Sequence, residues 1–374
     1  MSENNSGQSE RKKIGEIFNR TADPLEEFNE GFREVEEKYG DPFEKFLKEE
    51  KEGNVASSTL NGYQQAFRHF REFMRSTDRH PACANTGHVV DFVQHELEVK
   101  GNETSTVKTK LQKLDIAFNY LQRSSIYPQE SDYNPFANAK KKANWPDKKN
   151  EKFPNVTRSK LCNIFEQITN IRRLIIVLLG FKCGMRQGEI RNLKLQDIHI
   201  KNTDVQSYYE DLGTGPRIKE QNRENVIYIP SRHNRPGNKS KRHRLLPLDD
   251  EVRRTLLDYL LIRPDCGEPW VFVTQTDHEH ITDKDRLNEI WREEVASQID
   301  TKERHRPIRS HFGRHWFTSY WRVQDDLNRE LIQYMRGDKI GESYSQNEAI
   351  DEYIHAYFED IKEEYLSKVF KFNI

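Results

Sequence analysis

The first third of the chain carries hydrophobic residues at helical spacing and contains no strand-like stretch. Over residues 23–53 the apolar positions are sparse, and a turn at Gly40 divides them, which predicts one or two amphipathic helices. Three longer helices are expected to follow. The first begins at about Ser57-Ser58-Thr59, which offer N-caps, and the others cover about residues 88–99 and 104–121.

The second half of the chain predicts a mainly helical region with a few short strands. Two strand-like segments, Val226–Ile229 and Arg244–Leu248, flank a loop that contains Gly237, a pattern typical of a β-hairpin. Trp270–Val273 is a third strand-like segment. The longest apolar run, Leu174–Phe181, has the length of a buried helix and falls well short of the roughly 20 residues of a membrane span. We therefore expect a mainly α fold with a small β-sheet or hairpin.

Changes in pattern and charge divide the chain into five expected segments. They are a disordered tail (1–22), amphipathic N-terminal helices (23–53), a helical domain (54–138), a linker (139–156) and a larger domain (157–374). The linker is basic, contains two prolines and lacks periodicity. Its lysines Lys140, Lys141 and Lys142 are interpreted equally well as solvated surface or as a clasp across a DNA backbone.

Charge is segregated along the chain although its sum is close to zero. Lys and Arg number 60 and Asp and Glu 61, which gives a formal net charge of -1. Residues 8–53 are acidic, whereas residues 139–152 and 231–244 are basic. The net charge therefore does not exclude a nucleic acid as the partner. The four cysteines stand far apart, and we expect reduced thiols, no metal site, and a cytoplasmic protein without a secretion signal.

The candidate chemistry is cationic. The chain contains no P-loop, dinucleotide, HExxH or GxSxG motif and no carboxylate cluster suited to two metal ions. Arg, Lys, His and Tyr remain as the patterned polar residues. Guanidinium groups bind phosphate oxygens in pairs, and a cation can stabilise a phosphoryl transition state in place of Mg²⁺. The residue types therefore favour phosphate chemistry without a metal or another cofactor.

Two segments place arginine in strongly patterned surroundings. In the first, an apolar helix ends near Gly184, and Arg186, Glu189 and a leucine-rich stretch follow. In the second, His311 and Arg314 are three residues apart, so on a helix both can reach one phosphate. Taken alone, the first segment is also explained by an ordinary Arg–Glu pair on a helix face, and the second by a basic surface turn with a packed histidine.

In this order, the two segments resemble the catalytic boxes of the tyrosine recombinases, the phage integrase family. Residues 55–136 resemble the helical core-binding domain of that family, and residues 157–374 resemble its mixed α+β catalytic domain. The resemblance, to an archaeal or viral type of integrase, implies a two-domain architecture that clamps DNA.

The resemblance implies a role for each box. Arg186, His311 and Arg314 would hold the scissile phosphate, and Glu189 would brace the turn. Where the family has a histidine or tryptophan after a glycine, this chain has Asp338. Aspartate is a poor substitute for a hydrogen-bond donor to phosphate, so this position is the main departure from the pattern. A cation could bridge the aspartate to the phosphate, or Lys339 could act in its place.

The hairpin resembles the place where the family carries a lysine, a few residues before an Arg-x-x-Pro-Leu stretch. Lys239 matches that position best and Lys241 is a close rival. The implied role is that of a general acid, which protonates the departing 5′ oxygen. Arg235 and Arg242 in the same loop are expected to bind DNA, and a basic loop that only touches DNA is the competing interpretation for either lysine.

The resemblance also implies a tyrosine nucleophile near the C-terminus. Tyr353 is the first choice because Tyr353-Ile354-His355 resembles the Tyr-x-His motif of the family. Tyr357 and Tyr344 rank next, and Tyr334 and Tyr365 are the remaining candidates. Core packing on amphipathic helices is the alternative role for most of these tyrosines.

The implied activity is site-specific DNA recombination, in which strands are cut and rejoined through a 3′-phosphotyrosine without metal or ATP. Double-stranded DNA would be the partner and a homotetramer on paired sites the assembly, with residues 361–372 docking on a neighbouring protomer. A mobile element or virus is the typical source of such an enzyme. The alternatives are a type IB topoisomerase on the same fold, a catalytically inactive DNA-binding regulator, which Asp338 favours, and a helical interaction scaffold.

Overall fold

Two compact units, Met1–Lys149 and Asn150–Ile374, make up the computed structural model of the chain. The structure describes residues 13, 14, 17, 23, 25, 28–77, 79–127, 134–146, 151–219, 223–302, 305–338 and 349–374; for residue 324 and residues 349–357 it describes the backbone alone. The expected tail (1–22) therefore lies almost entirely outside the described residues.

The first unit is a helical assembly around one aromatic core. Its helices are α1 (Asn29–Tyr39), α2 (Pro42–Phe46), α3 (Ser57–Met74), α4 (Thr86–Gln94), α5 (Thr104–Arg123) and α6 (Pro135–Lys142), and wider π-type turns extend α2 to Lys51 and α4 to Val99. Each helix contributes a buried aromatic side chain to the same core, namely Phe32, Phe43, Phe67, Phe92, Phe118 and Phe136. The helices before residue 54 thus share a core with the longer helices that follow.

The helix ends test the caps and breaks that the sequence predicts. Gly40 ends α1 at a φ of 82°, and the Asp41 carboxylate caps α2 by accepting a hydrogen bond from the Phe43 N–H at 2.7 Å, so the expected break is confirmed. The expected capping by Ser57, Ser58 or Thr59 is wrong, because all three lie inside α3 and its N-cap is Ala56, which has no side-chain oxygen. Helix α6 extends through Lys142, so the segment expected as an aperiodic linker begins as a helix.

The second unit is also mainly helical. Its helices are α7 (Arg158–Glu166), α8 (Ile171–Lys182), α9 (Gln187–Arg191), α10 (Thr203–Tyr208), α11 (Pro216–Lys219), α12 (Asp250–Ile262), α13 (Asp285–Glu294), α14 (Ser310–Ser319), α15 (Arg329–Arg336) and α16 (Ala349–Lys368). A π-type turn extends α14 to Gln324. None of the described helices combines the length and apolar character that a membrane span requires.

A three-stranded antiparallel sheet interrupts the helices in the order β1 (Ile198–His199), β2 (Val226–Ile229), β3 (Arg244–Pro247). Strands β2 and β3 confirm the expected hairpin, with Ile227 opposite Leu246. Alternate residues enter different clusters: Ile227, Ile229 and Leu246 join the main core, whereas Val226, Tyr228 and Leu245 pack with Phe358 of α16.

The third expected strand, Trp270–Val273, is wrong. Only isolated bridges, Lys194 to Trp270 and Val273 to His280, occur there. The Val271 N–H donates to the Leu193 carbonyl oxygen at 2.8 Å, so the segment lies against a loop rather than in a ladder. Its apolar run reflects burial in the core and not strand pairing.

Helices α8 and α14 cross at two glycines. A Cβ on Gly313 would lie 2.4 Å from the Trp291 ring and 3.0 Å from the Gly180 carbonyl carbon. A Cβ on Gly180 would likewise lie 2.6 Å from Trp291. Because neither helix carries a side chain at the crossing, the backbone of α14 comes close to α8. This close approach brings the start of α14, with His311 and Arg314, near the C-terminal end of α8.

The end of the chain packs onto its own unit. Phe370 and Phe372 are buried, and the Phe372 ring stacks on Phe165 with centroids 4.3 Å apart. The Glu251 carboxylate accepts hydrogen bonds from the backbone N–H groups of Phe372 and Asn373, at 2.9 and 2.7 Å to Oε1. The last residues are therefore an integral part of the second core.

Candidate active site

Arg186 is held by the turn that connects α8 to α9. It is the N-cap of α9, and Glu189 accepts from its backbone N–H at 2.9 Å and from its Nη1 at 3.1 Å. Both bonds run from Arg186 to the Glu189 carboxylate, which thereby satisfies the backbone N–H of the capping residue. This contact fixes the direction of the guanidinium, whose side chain stays 23% exposed.

Glu189 is a buried anion that joins the turn to the hairpin. It accepts from Arg244 Nη2 at 2.8 Å and from the Ser240 hydroxyl. Burial alone would raise the pKa of Glu189, but the charges of Arg244, Arg186 and Arg314 outweigh it and lower the pKa to about 2. The carboxylate is therefore ionised at every physiological pH, and it braces more than the turn.

Arg314 comes from α14 and is almost completely buried. Its Nη1 donates to the Gly184 carbonyl oxygen at 2.6 Å, which ties the second box to the first. Burial, followed by the nearby charges of Arg186 and Arg244, lowers the pKa of Arg314 to about 9. Such crowding of cations favours a bound anion.

His311 lies one helical turn before Arg314, at the exposed start of α14. Desolvation by the surrounding protein, then the charges of Arg314, Arg336 and Arg186, lower the pKa of His311. The positive charges of the nearby arginines therefore disfavour the protonated form of His311. At neutral pH the imidazole is a neutral hydrogen-bonding group.

The arginines converge on the carboxylate of Asp338. Arg186 Nη2 and Arg314 Nη2 lie 2.6 and 2.9 Å from Asp338 Oδ1, and Arg336 Nε lies 2.9 Å from Oδ2. Asp338 follows Gly337, which ends α15 at a φ of 64°, and a Cβ on Gly337 would lie 2.5 Å from Arg244. The Asp338 carboxylate is thus the common anionic partner of three guanidinium groups.

The hairpin loop brings two of the expected basic residues to the edge of this site. Ser240 is fully buried beside Glu189, whereas Lys239 and Lys241 on either side of it are exposed and Arg242 is half-buried. Arg235 departs from the expectation of a DNA contact. It is buried, its Nη1 donates to the Asn192 carbonyl oxygen at 2.9 Å, and it forms an ion pair with Asp197 that explains its place in the loop.

The three lysines of the expected linker differ from one another. Lys141 and Lys142 are exposed at the end of α6. Lys140 is half-buried and pairs with Asp115 at 2.7 Å, so part of its charge is neutralised inside the first unit. Of the three, Lys141 and Lys142 are therefore the ones whose charge is exposed and forms no ion pair with a described residue.

Two of the candidate tyrosines are core residues. The Tyr334 hydroxyl donates to the Leu245 carbonyl oxygen at 3.1 Å, and the Tyr365 hydroxyl donates to the Lys182 carbonyl oxygen at 2.8 Å. Burial raises the pKa of Tyr334 to about 12. Neither hydroxyl is free to attack a substrate, which reduces the expected set to Tyr344, Tyr353 and Tyr357.

The remaining tyrosines lie at the limit of what is described. The backbone of Tyr353 and Tyr357 belongs to α16, while their side chains lie outside the described residues. Tyr344 and Lys339 are outside them entirely. Across the described part of the chain, no group of three or more His, Cys, Asp or Glu is arranged to hold a metal ion.

Comparison with known proteins identifies the family of the chain. Residues 155–358 match the sequence profile of the Phage integrase family. The chain belongs to the phage integrase family. Its resemblance to the tyrosine recombinases, and the mainly helical fold with a small sheet, are thereby confirmed. No curated protein matches the sequence of this integrase-family chain as a relative.

Solved structures of integrases share the fold of this family member. A lambda integrase tetramer bound to a Holliday junction is 14% identical, with 82% of this chain and 79% of that chain covered at a TM-score of 0.57. The Tn1549 transposon integrase, in complex with transposon right end DNA, is 16% identical, with 84% of this chain and 98% of that chain covered at a TM-score of 0.58.

Three residues of this integrase site were missed by the sequence analysis: Ser240, Arg244 and Arg336. Arg244 is the first residue of β3, directly before Leu245 and Leu246, and its completely buried guanidinium pairs with the buried Glu189 carboxylate. Arg336 adjoins Gly337 and Asp338, and the opposite charges on either side of the glycine were the available signal. Ser240 gave no signal of its own.

Proposed function

We propose that this chain is a site-specific DNA recombinase that cleaves and rejoins strands through a covalent 3′-phosphotyrosine. One observation carries the proposal. Arg186 and Arg314, from separate elements, aim their Nη2 atoms at the same anionic oxygen at 2.6 and 2.9 Å. Two guanidiniums that converge on one oxygen are suited to the non-bridging oxygens of a phosphodiester.

The proposed cleavage step uses five side chains of the chain. The Tyr353 hydroxyl loses its proton to solvent water and attacks the scissile phosphorus, an O–P bond forms to the tyrosine, and the bond from phosphorus to the 5′ oxygen breaks. Arg186, Arg314 and neutral His311 stabilise the charge on the non-bridging oxygens. Lys239 gives its proton to the departing 5′ oxygen. Because the phosphotyrosine keeps the energy of the broken ester, a 5′ hydroxyl from another strand can reverse the step without ATP.

Double-stranded DNA is the proposed partner, and a homotetramer on paired sites the proposed assembly. The similar integrase structures contain DNA, and one of them is a tetramer on a Holliday junction. Exposed Lys141, Lys142 and Lys241 supply charge for phosphate contacts, and binding should weaken steeply with salt. A mobile element is the proposed genetic context.

A suicide substrate tests the proposal directly. Nicked duplexes cut from the DNA on either side of the gene are incubated with the full chain, and a denaturing gel separates covalent adducts. We expect an adduct with the wild type and with Tyr357→Phe, and none with Tyr353→Phe. An adduct that Tyr353→Phe retains would move the nucleophile to another tyrosine. Salt-sensitive binding of these sites without any adduct would refute the recombinase.

One observation favours a second candidate, a DNA-binding regulator without catalysis. The Asp338 carboxylate occupies the anion site, where it would repel a phosphate that failed to displace it. The two candidates share DNA binding and differ in covalent chemistry. The adduct assay therefore separates them.

A further inference from the structure

The arginine cluster holds more positive charge than its carboxylates balance. Four guanidiniums, those of Arg186, Arg244, Arg314 and Arg336, share the two carboxylates of Glu189 and Asp338 among the described residues. Glu189 is buried and serves the fold. Asp338 is 24% exposed and faces the outer side of the cluster, so it is the anion that solvent can reach.

Asp338 accepts hydrogen bonds from the guanidinium groups that a phosphate would need. Arg186 Nη1 is used inside the protein by Glu189 and by the Arg336 carbonyl oxygen, the latter at 3.1 Å. Arg314 Nη1 is used by the Gly184 carbonyl oxygen. In the described part of the chain, each Nη2 is bonded to Asp338. A single phosphate oxygen that accepts from both Nη2 atoms must therefore take the place of Asp338 Oδ1.

Arg336 shares its anionic partner, Asp338, with Arg186 and Arg314, the two expected phosphate ligands. Its side chain is 28% exposed, close to the 23% of Arg186. Its Nε is buried 2.9 Å from Asp338 Oδ2 yet makes no hydrogen bond to any described residue, so this N–H is near an anion without being committed to it. Its backbone is anchored, because the carbonyl oxygen of the same residue accepts from Arg186.

We propose that Arg336 is a third phosphate-binding arginine and that Asp338 is an internal counter-ion, which the DNA phosphate displaces from the three guanidiniums. The inference rests on the proposed function of this site. It explains how a chain with an aspartate at this position retains a hydrogen-bond donor for the phosphate: Arg336, two residues earlier, supplies the N–H that Asp338 lacks.

Burial and charge support the displacement. Burial first, and the charges of Arg186 and Arg244 as well, lower the pKa of Arg336, while Asp338 opposes the change. The cations are thus crowded and desolvated, and an anion must always be present. Asp338 fulfils this need in the free protein, so the cluster stays folded before DNA arrives.

The test uses inorganic phosphate and the full-length chain. The melting temperature is measured against phosphate concentration, with chloride at equal ionic strength as the reference, for the wild type, Asp338→Asn, Arg336→Gln and the double variant. Controls of equal charge change are Asp326→Asn and Arg322→Gln, whose exposed side chains lie 3.8 Å apart away from the cluster. The assay needs neither a tyrosine nor a DNA site.

We expect Asp338→Asn to bind phosphate roughly tenfold or more tightly than the wild type, since two charge-assisted donors are released. The double variant should lose that gain, and Arg336→Lys in the Asp338→Asn background should keep part of it. If Asp338→Asn folds only in phosphate, the same conclusion follows. Equal affinity of Asp338→Asn and the wild type, or a gain that survives Arg336→Gln, would overturn the inference.

A second measurement separates this inference from the proposed function. In the suicide assay, Arg336→Gln should slow adduct formation roughly tenfold or more while single-site DNA binding persists, and Arg336→Lys should lie in between. An unchanged rate in Arg336→Gln would refute the role of Arg336 but leave the recombinase intact. A phosphate gain in a protein that forms no adduct would refute the recombinase but leave the anion site.

Discussion

Replacing Glu189 with glutamine is the strongest test of how the site is held together. The substitution removes one negative charge from a fully buried cluster and leaves the guanidinium of Arg244, also fully buried, without its carboxylate. Lowering the pKa of Glu189 from 4.5 to about 2 corresponds to about 3 kcal/mol in favour of the charged form. The loss of one partner from a buried pair typically costs about the same.

The expected effect of Glu189→Gln is a large loss of stability at neutral pH. For a unit of this size, about 3 kcal/mol corresponds to a fall of roughly 6–12 °C in melting temperature. The assay is thermal unfolding followed by the fluorescence of the buried tryptophans Trp291 and Trp321. Glu224→Gln is the matched control, because Glu224 is half exposed in its pair with Lys201 and should change stability by less than about 0.5 kcal/mol.

The effect of Glu189→Gln should also depend on pH. The folded-state pKa lies below the unfolded-state value, so the stabilisation is fully present above about pH 4.5 and is lost as the pH falls through about 2. The difference between wild type and variant should therefore shrink by roughly half or more between pH 7 and pH 3. A variant that melts within about 1 °C of the wild type at pH 7, or a pH-independent difference, would refute the reasoning.

Three other predictions follow from the described contacts. Deletion of residues 369–374 should lower the melting temperature of the second unit, because Phe372 is buried and hydrogen-bonded to Glu251; an unchanged transition would show that the tail does not dock on its own chain. Lys142→Gln should weaken DNA binding and lower the salt slope by about one, whereas the paired Lys140 should contribute less, as fluorescence anisotropy at several salt concentrations would show. Burial raises the pKa of Cys183 to about 12, so mass spectrometry should find this thiol unmodified by iodoacetamide at pH 8 while the chain is folded, and early modification would contradict the packing.

Local patterns predicted most of the helices, and they singled out Arg186 and Arg314, which the structure brings together on Asp338. The stripe before Gly40 and the cap at Asp41 depend on neighbouring residues, and the structure confirms the break between them. The reach of His311 and Arg314 towards one site follows from helical spacing alone. Such features need only short-range information, which a single sequence contains.

Contacts between residues far apart in the sequence could not be predicted from local patterns. Arg235 resembles its exposed neighbours in the loop, and only the position of Asp197 in the fold makes it a buried ion pair. The convergence of Arg336 with Arg186 requires the path of α15, which no local spacing reveals. Trp270–Val273 looked like a strand because a buried apolar run has the same composition in either setting.

The nucleophile carries the central claim, and peptide mapping of the covalent adduct tests it most directly. The adduct from the suicide substrate is digested with nuclease and protease, and mass spectrometry locates the nucleotide. The account predicts a nucleotide joined through its 3′ phosphate to Tyr353 in helix α16. A nucleotide on a residue other than a tyrosine, or a 5′ linkage, would contradict it.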